Sequence, residues 1–377
     1  MLLKAVKARK IKDSRGDPTI EVIIEKVKAS APSGKSTGKY ETHPYHKSLD
    51  WNIKFLNSQV FNLEVNSFDD LKKLELFIKK KAKLRDAKQF GANALFALEC
   101  AILKALAKEQ KKQLWQIINA EARKIPIPLG NVIEGGLHAH NKDHPTFQEF
   151  LVIPNEKSFE KNYILMKKIH SELHKLLNEN KKTDEGAWES RLHNSEIFTI
   201  LSSFKGVRLG TDAAASSFYK NGNYQYKSKS FGQKEQINYV NTLIKKYNLL
   251  YIEDPLHEED FQGFSQISKA SKHLVVGDDL TATQISRLKK AIKLKSINAI
   301  IIKPNQNGSL LELQEIFKIC KKNKIKTILS HRSGETMDDA LADLSFGYQA
   351  DFIKAGVATK WREVKLERLV KIEKNAG

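Results

Sequence analysis

The sequence predicts an α/β protein in which a smaller α+β N-terminal domain, residues 1–124, precedes a (β/α)8 TIM-like barrel, residues 125–377. Three observations carry that reading. A chain of 377 residues is long for a single core. The periodicity changes near Lys124, where Ile125-Pro126-Ile127-Pro128 reads as a linker. Beyond it, short apolar runs alternate with helical stretches, and each run ends within a few positions of a polar residue.

In the first domain, Gly16 and Pro18 punctuate a turn from Asp13 to Pro18. After it Thr19, Glu21, Ile23 and Glu25 alternate with Ile20, Val22 and Ile24, the period of a half-buried strand. Helical periodicity follows from Phe68 to Lys81 and from Asn93 to Lys108, where Ala94, Leu95, Leu98, Ala101, Ile102 and Ala105 form one stripe. In the second domain the apolar runs are Val207 to Leu209, Leu249 to Ile252, Leu274 to Val276, Ala299 to Ile302, Thr327 to Leu329 and Phe352 to Ile353. They end near Asp212, Glu253, Asp278, Lys303, His331 and Lys354, at separations of 41, 25, 25, 28 and 23 residues. One strand, one helix and two loops need about that length. In a barrel of this kind the C-terminal strand ends converge on one face, which brings these polar residues to one mouth.

Composition narrows the function classes. Apolar residues at 41% and charged residues at 29% exclude disordered and fibrous classes. The longest apolar stretch, Phe90 to Ala107, is broken by Asn93, Glu99 and Lys104, so it reads as an amphipathic helix rather than a membrane span. Met1 to Lys10 lacks the apolar segment of a signal peptide, and Cys100 and Cys320 have neither a disulfide framework nor zinc spacing. A cytoplasmic protein is expected. The 64 basic and 44 acidic residues leave a net charge of +20, but the lysines are spread along the chain. Clusters such as Lys79–Lys81 and Lys108, Lys111, Lys112 read as solvated helix faces or ends, so nucleic acid is not expected to be the main partner.

Asp212, Glu253 and Asp278 on successive strands offer hard oxygen ligands, a set that suits Mg²⁺. One such acid alone would read as a helix cap or a lysine partner; three in successive units, without a cation, would raise one another's pKa values. Lys303 and Lys354 end apolar runs. Desolvation and a neighbouring cation would both lower a lysine pKa, which is the requirement for an amine base. Gly34-Lys35-Ser36-Thr37 lacks the glycine a phosphate-binding loop needs five residues earlier, where Ala29 stands, and His140 and His144 read as surface histidines rather than zinc ligands.

Ten segments in chain order make the sequence resemble the enolase family: DSRGDPTIEV at 13–22, SGKSTG at 33–38, FGANA at 90–94, GGLHA at 135–139, QEF at 148–150, DEG at 184–186, IEDP at 252–255, DDLT at 278–281, SHRSGET at 330–336 and IKAG at 353–356. The resemblance implies an enolase-type barrel and interconversion of 2-phospho-D-glycerate and phosphoenolpyruvate plus water, with two Mg²⁺ per site. It implies that Asp212, Glu253 and Asp278 bind the first Mg²⁺ and that Ser36 helps bind the second. Lys303 would remove the C2 proton and Glu185 would protonate the departing 3-hydroxyl. Gln148, Glu149, His138, His331 and Lys354 would line the small anionic substrate, with Arg332 and Ser333 on its phosphate. It also implies a homodimer.

The chain departs from the family pattern in places. It is shorter, the family's Asp-Glu-Gly-Gly is Asp184-Glu185-Gly186-Ala187, and Asn-Gly-Gly is Glu134-Gly135-Gly136. Between His138 and Gln148 there is a two-residue insertion, with His140 where the family usually has Gly. The competing readings are a paralogue acting on another carboxylate and a catalytically weak fold that binds RNA or protein; retention of the reactive groups together favours the enzyme.

Overall fold

The computed structural model describes residues 1–35, 38–178, 180–269 and 272–376. The N-terminal domain opens with an antiparallel meander, β1 (Lys7–Lys12), β2 (Pro18–Ile24) and β3 (Val27–Ser30). The alternation read from the sequence sets most of the faces: Ile20, Val22 and Ile24 are buried and Glu21 and Ile23 half-buried, but Thr19, on the second face, is also buried, its hydroxyl donating to Ala31 O. Helices α1 (Leu49–Ser58), α2 (Leu71–Lys81) and α3 (Ala92–Glu109) follow, with a short 3-10 turn at Phe68–Asp70 taking the place of the first helical residues expected there. Helix α3 was expected to bury one stripe. It buries nearly all its residues, including Phe96, Glu99 and Leu103, because one side packs on β2 and β3 and the other on the barrel segment Pro304–Asn307.

The barrel strands are β4 (Ile127–Glu134), β5 (Glu149–Pro154), β6 (Val207–Asp212), β7 (Tyr251–Glu253), β8 (Leu274–Gly277), β9 (Ala299–Ile302), β10 (Lys326–Ser330) and β11 (Phe352–Lys354). Each pairs with the next, and β11 pairs with β4 to close the ring. The expected linker is therefore shorter than read: Ile127 and Pro128 already pair with Phe352 and Ile353. Leu129, Leu151, Ile153, Tyr251, Val276, Ala299, Ile301, Ile328 and Phe352 form a second apolar cluster, drawn from strands all around the ring, that fills its interior.

One feature departs from the uniform parallel βα alternation. Strand β5 is antiparallel to both β4 and β6. The β4–β5 connection contains only a 3-10 turn, Gly136–His138, and without a crossover helix the chain must return in the opposite direction. Two helices, α4 (Phe159–Leu177) and α5 (Asn194–Leu201), then separate β5 from β6. The remaining crossovers are α6 (Gln233–Tyr247), α7 (Phe261–Lys269), α8 (Ile285–Lys293), α9 (Leu310–Lys322) and α10 (Ala340–Gly347), and α11 (Lys360–Ala376) ends the chain.

The surplus positive charge has a place in this plan. Lys245 and Lys246, Lys269, Lys290 and Lys293, and Lys321 and Lys322 occupy the last turns of α6, α7, α8 and α9, where they complement the carbonyl ends of the helices. Lys79–Lys81 do the same for α2. The ends of α6 to α9 lie at the end of the barrel opposite the strand C-termini, as βα crossovers require.

Candidate active site

The strand ends converge as the spacing predicts. Asp212, Glu253 and Lys354 are the last residues of β6, β7 and β11, while Asp278, Lys303 and His331 follow directly on β8, β9 and β10. Reversal of β5 puts its first residue at the same end: Glu149 is paired in register with Asp212. Because β5 descends, α4 climbs back to the mouth, and the loop after it delivers Glu185. That loop turns at Gly186, at φ +87°, where an added Cβ would lie 2.5 Å from Thr359 Cγ2. The glycine retained from the family's pair is thus the one the backbone requires.

One pocket is lined by His138, Gln148, Glu149, Glu185, Asp212, Asp278, Lys303, His331, Arg332, Ser333 and Lys354. Glu253 lies fully buried beneath it, in contact with Lys354. Ser36 lies outside the described residues. The N-terminal domain supplies Gly34, Lys35, Gly38, Lys39 and Glu41 to the rim. It is fastened there by a two-bond bridge, in which Ser33 N donates to Gly334 O at 2.7 Å and Gly334 N to Ser33 O at 2.9 Å.

Buried charges dominate the floor. Lys354 Nζ lies 2.8 Å from Glu149, 2.9 Å from Glu253 and 3.7 Å from Asp212. Burial alone would lower its pKa, but these three carboxylates hold it well above the usual lysine range. Burial pushes Asp212 up to about 7 and both Glu149 and Glu253 up to about 8, against the pull of Lys354, and neighbouring carboxylates add to the rise.

Lys303 corrects an expectation. The sequence reading anticipated a lowered pKa, yet Nζ donates to Asp278, and that carboxylate raises the amine above its ordinary value although burial opposes it. The charge facing the amine is the Asp278 carboxylate at the end of the adjacent strand. Asp278 is correspondingly lowered despite its burial.

Glu185 sits 3.2 Å from His331 Nε2. Burial raises its pKa, but His331 and then His138 draw it well below the usual range. Arg362 Nε donates to His331 Nδ1 at 3.2 Å, which leaves Nε2 as the nitrogen that carries the proton toward Glu185. The same guanidinium donates to the carbonyls of Arg332 and Ser333, fixing the His-Arg-Ser turn. The sequence offers no signal for Arg362, on the first turn of α11.

Other contributors were legible in part. Glu41, a few residues past SGKSTG, accepts from Arg332 Nη2 at 3.2 and 3.0 Å through its two carboxylate oxygens. Asp254 and Asp279 stand inside motifs already quoted, and with Asp278 they bring three carboxylate oxygens within 4.8 Å of one another. The trio read from the strand ends does not make a grouping that close among the described residues: Lys354 draws Glu253 and Asp212 to one side and Lys303 draws Asp278 to the other. A second close group unites Glu134, His138, Glu149 and Glu185.

Comparison with known proteins agrees with this architecture. The family model described as "Enolase, N-terminal domain" matches residues 3–118, and "Enolase, C-terminal TIM barrel domain" matches residues 122–377. Among curated relatives, the enolase of Archaeoglobus fulgidus is 36% identical over 99% of this chain and 97% of its own length. That of Natronomonas pharaonis is 34% identical over the whole of both chains, and that of Thermoplasma acidophilum is 36% identical over 98% of each.

Proposed function

Because the chain belongs to the enolase family and is a phosphopyruvate hydratase, interconverting 2-phosphoglycerate and phosphoenolpyruvate, we propose that this reaction takes place in the strand-end pocket with the roles that follow. The observation that supports the assignment is the convergence of Lys303, Glu185, Arg332 and the buried carboxylates on one cavity. Lys303 removes the C2 proton. Arg332 holds the phosphate through its planar fork of donors, beside Ser333, and Lys354 with Gln148 lines the carboxylate end. Glu185 protonates the leaving hydroxyl, and since it is ionised in the free pocket it must first receive a proton from a neighbour.

The donor set fits a divalent cation. Asp212, Glu253 and Asp278 are hard oxygen donors, all buried, and Asp278 Oδ1 has no hydrogen-bond partner. Their mutual repulsion is a further sign that a cation belongs there. Asp212, Glu253 and Asp278 would hold one Mg²⁺ and Ser36 would help hold a second. Bound there, the metal supplies positive charge where the enediolate develops its negative charge. The same reading has the enzyme working in the cytoplasm as a homodimer on a small phosphorylated acid. No helix among the described residues is long and apolar enough to cross a membrane.

Cation binding should release protons. With Asp212 near 7 and Glu253 near 8, both carboxyls are partly protonated at pH 7, and a divalent cation takes only the ionised forms. Calorimetric titration of Mg²⁺ at pH 7 in buffers of different ionisation enthalpy should show proton release, fading by pH 9, with apparent affinity falling as pH drops below about 8. These carboxyls have pKa values above their unfolded ones, so between about pH 4 and 8 the folded state binds the extra protons. The cation-free protein should therefore lose stability as pH rises through that window. Equal affinity and no proton release at pH 6 and 9 would contradict the ligand assignment.

The division of labour is tested with Glu185→Gln in deuterated buffer. The variant should still exchange the C2 proton, while elimination falls by roughly 10²- to 10⁴-fold for loss of a general acid. Normal elimination by this variant would reassign the acid.

A further inference from the structure

Glu134 stands at the end of β4, where the family pattern places an asparagine, and it is completely buried. Its register partners across the strand ends are Glu149 and Glu189, so the position adds a third carboxylate to an acidic corner. One of its oxygens, Oε1, accepts from Asn131 Nδ2 and lies 3.4 Å from His138 Nδ1; Oε2 has no hydrogen-bond partner. A buried carboxylate with so few donors is costly unless a cation faces it. Among the described residues, the one cationic group within 4.0 Å of it is the imidazole of His138.

We propose that Glu134 is a positioning residue for the elimination half of the reaction: it holds His138 by Nδ1 beside Glu185, and His138 replenishes the proton that Glu185 gives to the departing hydroxyl. The proposal rests on the reading of Glu185 as the acid. Its geometry is the close group of Glu134, His138, Glu149 and Glu185, whose ligand atoms lie within 4.8 Å of one another, a spacing that can tighten when substrate binds. The charged groups facing His138 are Glu134 from β4, Glu149 from β5, and Glu185 and Asp184 from the loop after α4. Lys35 reaches the same small cavity from the N-terminal domain and pairs with Asp184 at 3.8 Å.

The charge balance favours the role. Burial would lower the His138 pKa, but Glu134 first, and then Glu185 and Glu149, push it up to about 9. His138 is therefore an imidazolium at neutral pH. Glu185, held ionised by its histidine neighbours, is the weaker base of the pair, so it takes the His138 proton only as it passes its own to the leaving hydroxide. Protons balance in the step: His138 gives one to Glu185, Glu185 gives one to the leaving hydroxide to form water, and solvent restores His138. An imidazolium also has no lone pair with which to ligate a metal, which separates this role from cation binding.

The test uses full-length protein with saturating Mg²⁺ and Glu134→Gln, with Glu134→Asp as the conservative variant. In substrate-free protein labelled at histidine Cε1, with a His138→Gln spectrum for assignment, His138 should titrate at least about one pH unit lower in E134Q than in the wild type. With 2-phosphoglycerate in deuterated buffer at pH 8.5, E134Q should exchange the C2 proton within about twofold of wild type while elimination falls about threefold or more, the loss of imidazolium that a one-unit shift from about 9 gives at that pH. At pH 6, where His138 is protonated in both proteins, the two should converge, and E134D should recover part of the loss. A wild-type His138 that titrates at the ordinary imidazole value overturns the proposal, and this holds even if E134Q does not fold. So does an E134Q that slows exchange and elimination equally at every pH. Normal elimination by E185Q would instead strike at the reading on which the proposal rests, a result separate from either of these.

Discussion

Lys303→Ala should lose exchange of the C2 proton and formation of phosphoenolpyruvate together, by about 10⁴-fold, the upper end for a proton-transfer group. A proton α to a carboxylate is barely acidic, so no neighbouring group can stand in for an amine fixed at the end of β9. The amine is paired with Asp278 and held above its usual pKa in the free pocket. To act as a base it must shed that proton, which requires Asp278 to be engaged elsewhere. Proton NMR in deuterated buffer reads the exchange, and absorbance reads the enol product. Normal exchange in the alanine variant would remove Lys303 from the role. Asp278 loses its partner in that variant, so the measurement belongs in saturating Mg²⁺, which supplies the carboxylate with another cation.

Lys354→Met should produce the largest loss of stability. Its ammonium is almost fully buried and is the cation common to Glu149, Asp212 and Glu253. Removing one partner of a buried pair costs about 3–5 kcal/mol because the remaining charge is left unpaired. The three carboxylates respond by binding protons, so the loss should be greatest near pH 8.5 and smaller near pH 6, where they are already largely neutral. Urea denaturation of the cation-free protein at the two pH values measures both parts. An equal loss at each pH would mean that Lys354 contributes packing rather than charge.

The contrast between what was and was not legible follows from chain direction. Asp212, Glu253, Asp278, Lys303, His331 and Lys354 could be read from spacing because each ends an ascending strand, where an apolar run is followed by a polar residue. Gln148 and Glu149 escape that rule, since β5 descends and its mouth residues precede the apolar run Phe150–Ile153. Glu185 lies on no barrel strand, so its motif was the signal that pointed to it. Arg362 acts through a histidine far away in sequence, and no local pattern announces it. The charge state of Lys303 was also out of reach, because it depends on which neighbour the ammonium meets across the sheet. The first domain was legible in its faces, but the all-round burial of α3 depends on the barrel packed behind it.

The most direct test of the account is turnover of 2-phosphoglycerate by the purified chain, followed by absorbance of phosphoenolpyruvate with saturating Mg²⁺ and again in excess chelator. The account predicts steady formation of the enol product with Mg²⁺, loss of turnover on chelation, and recovery when Mg²⁺ is restored. No turnover in saturating Mg²⁺, or an undiminished rate in chelator, would contradict it.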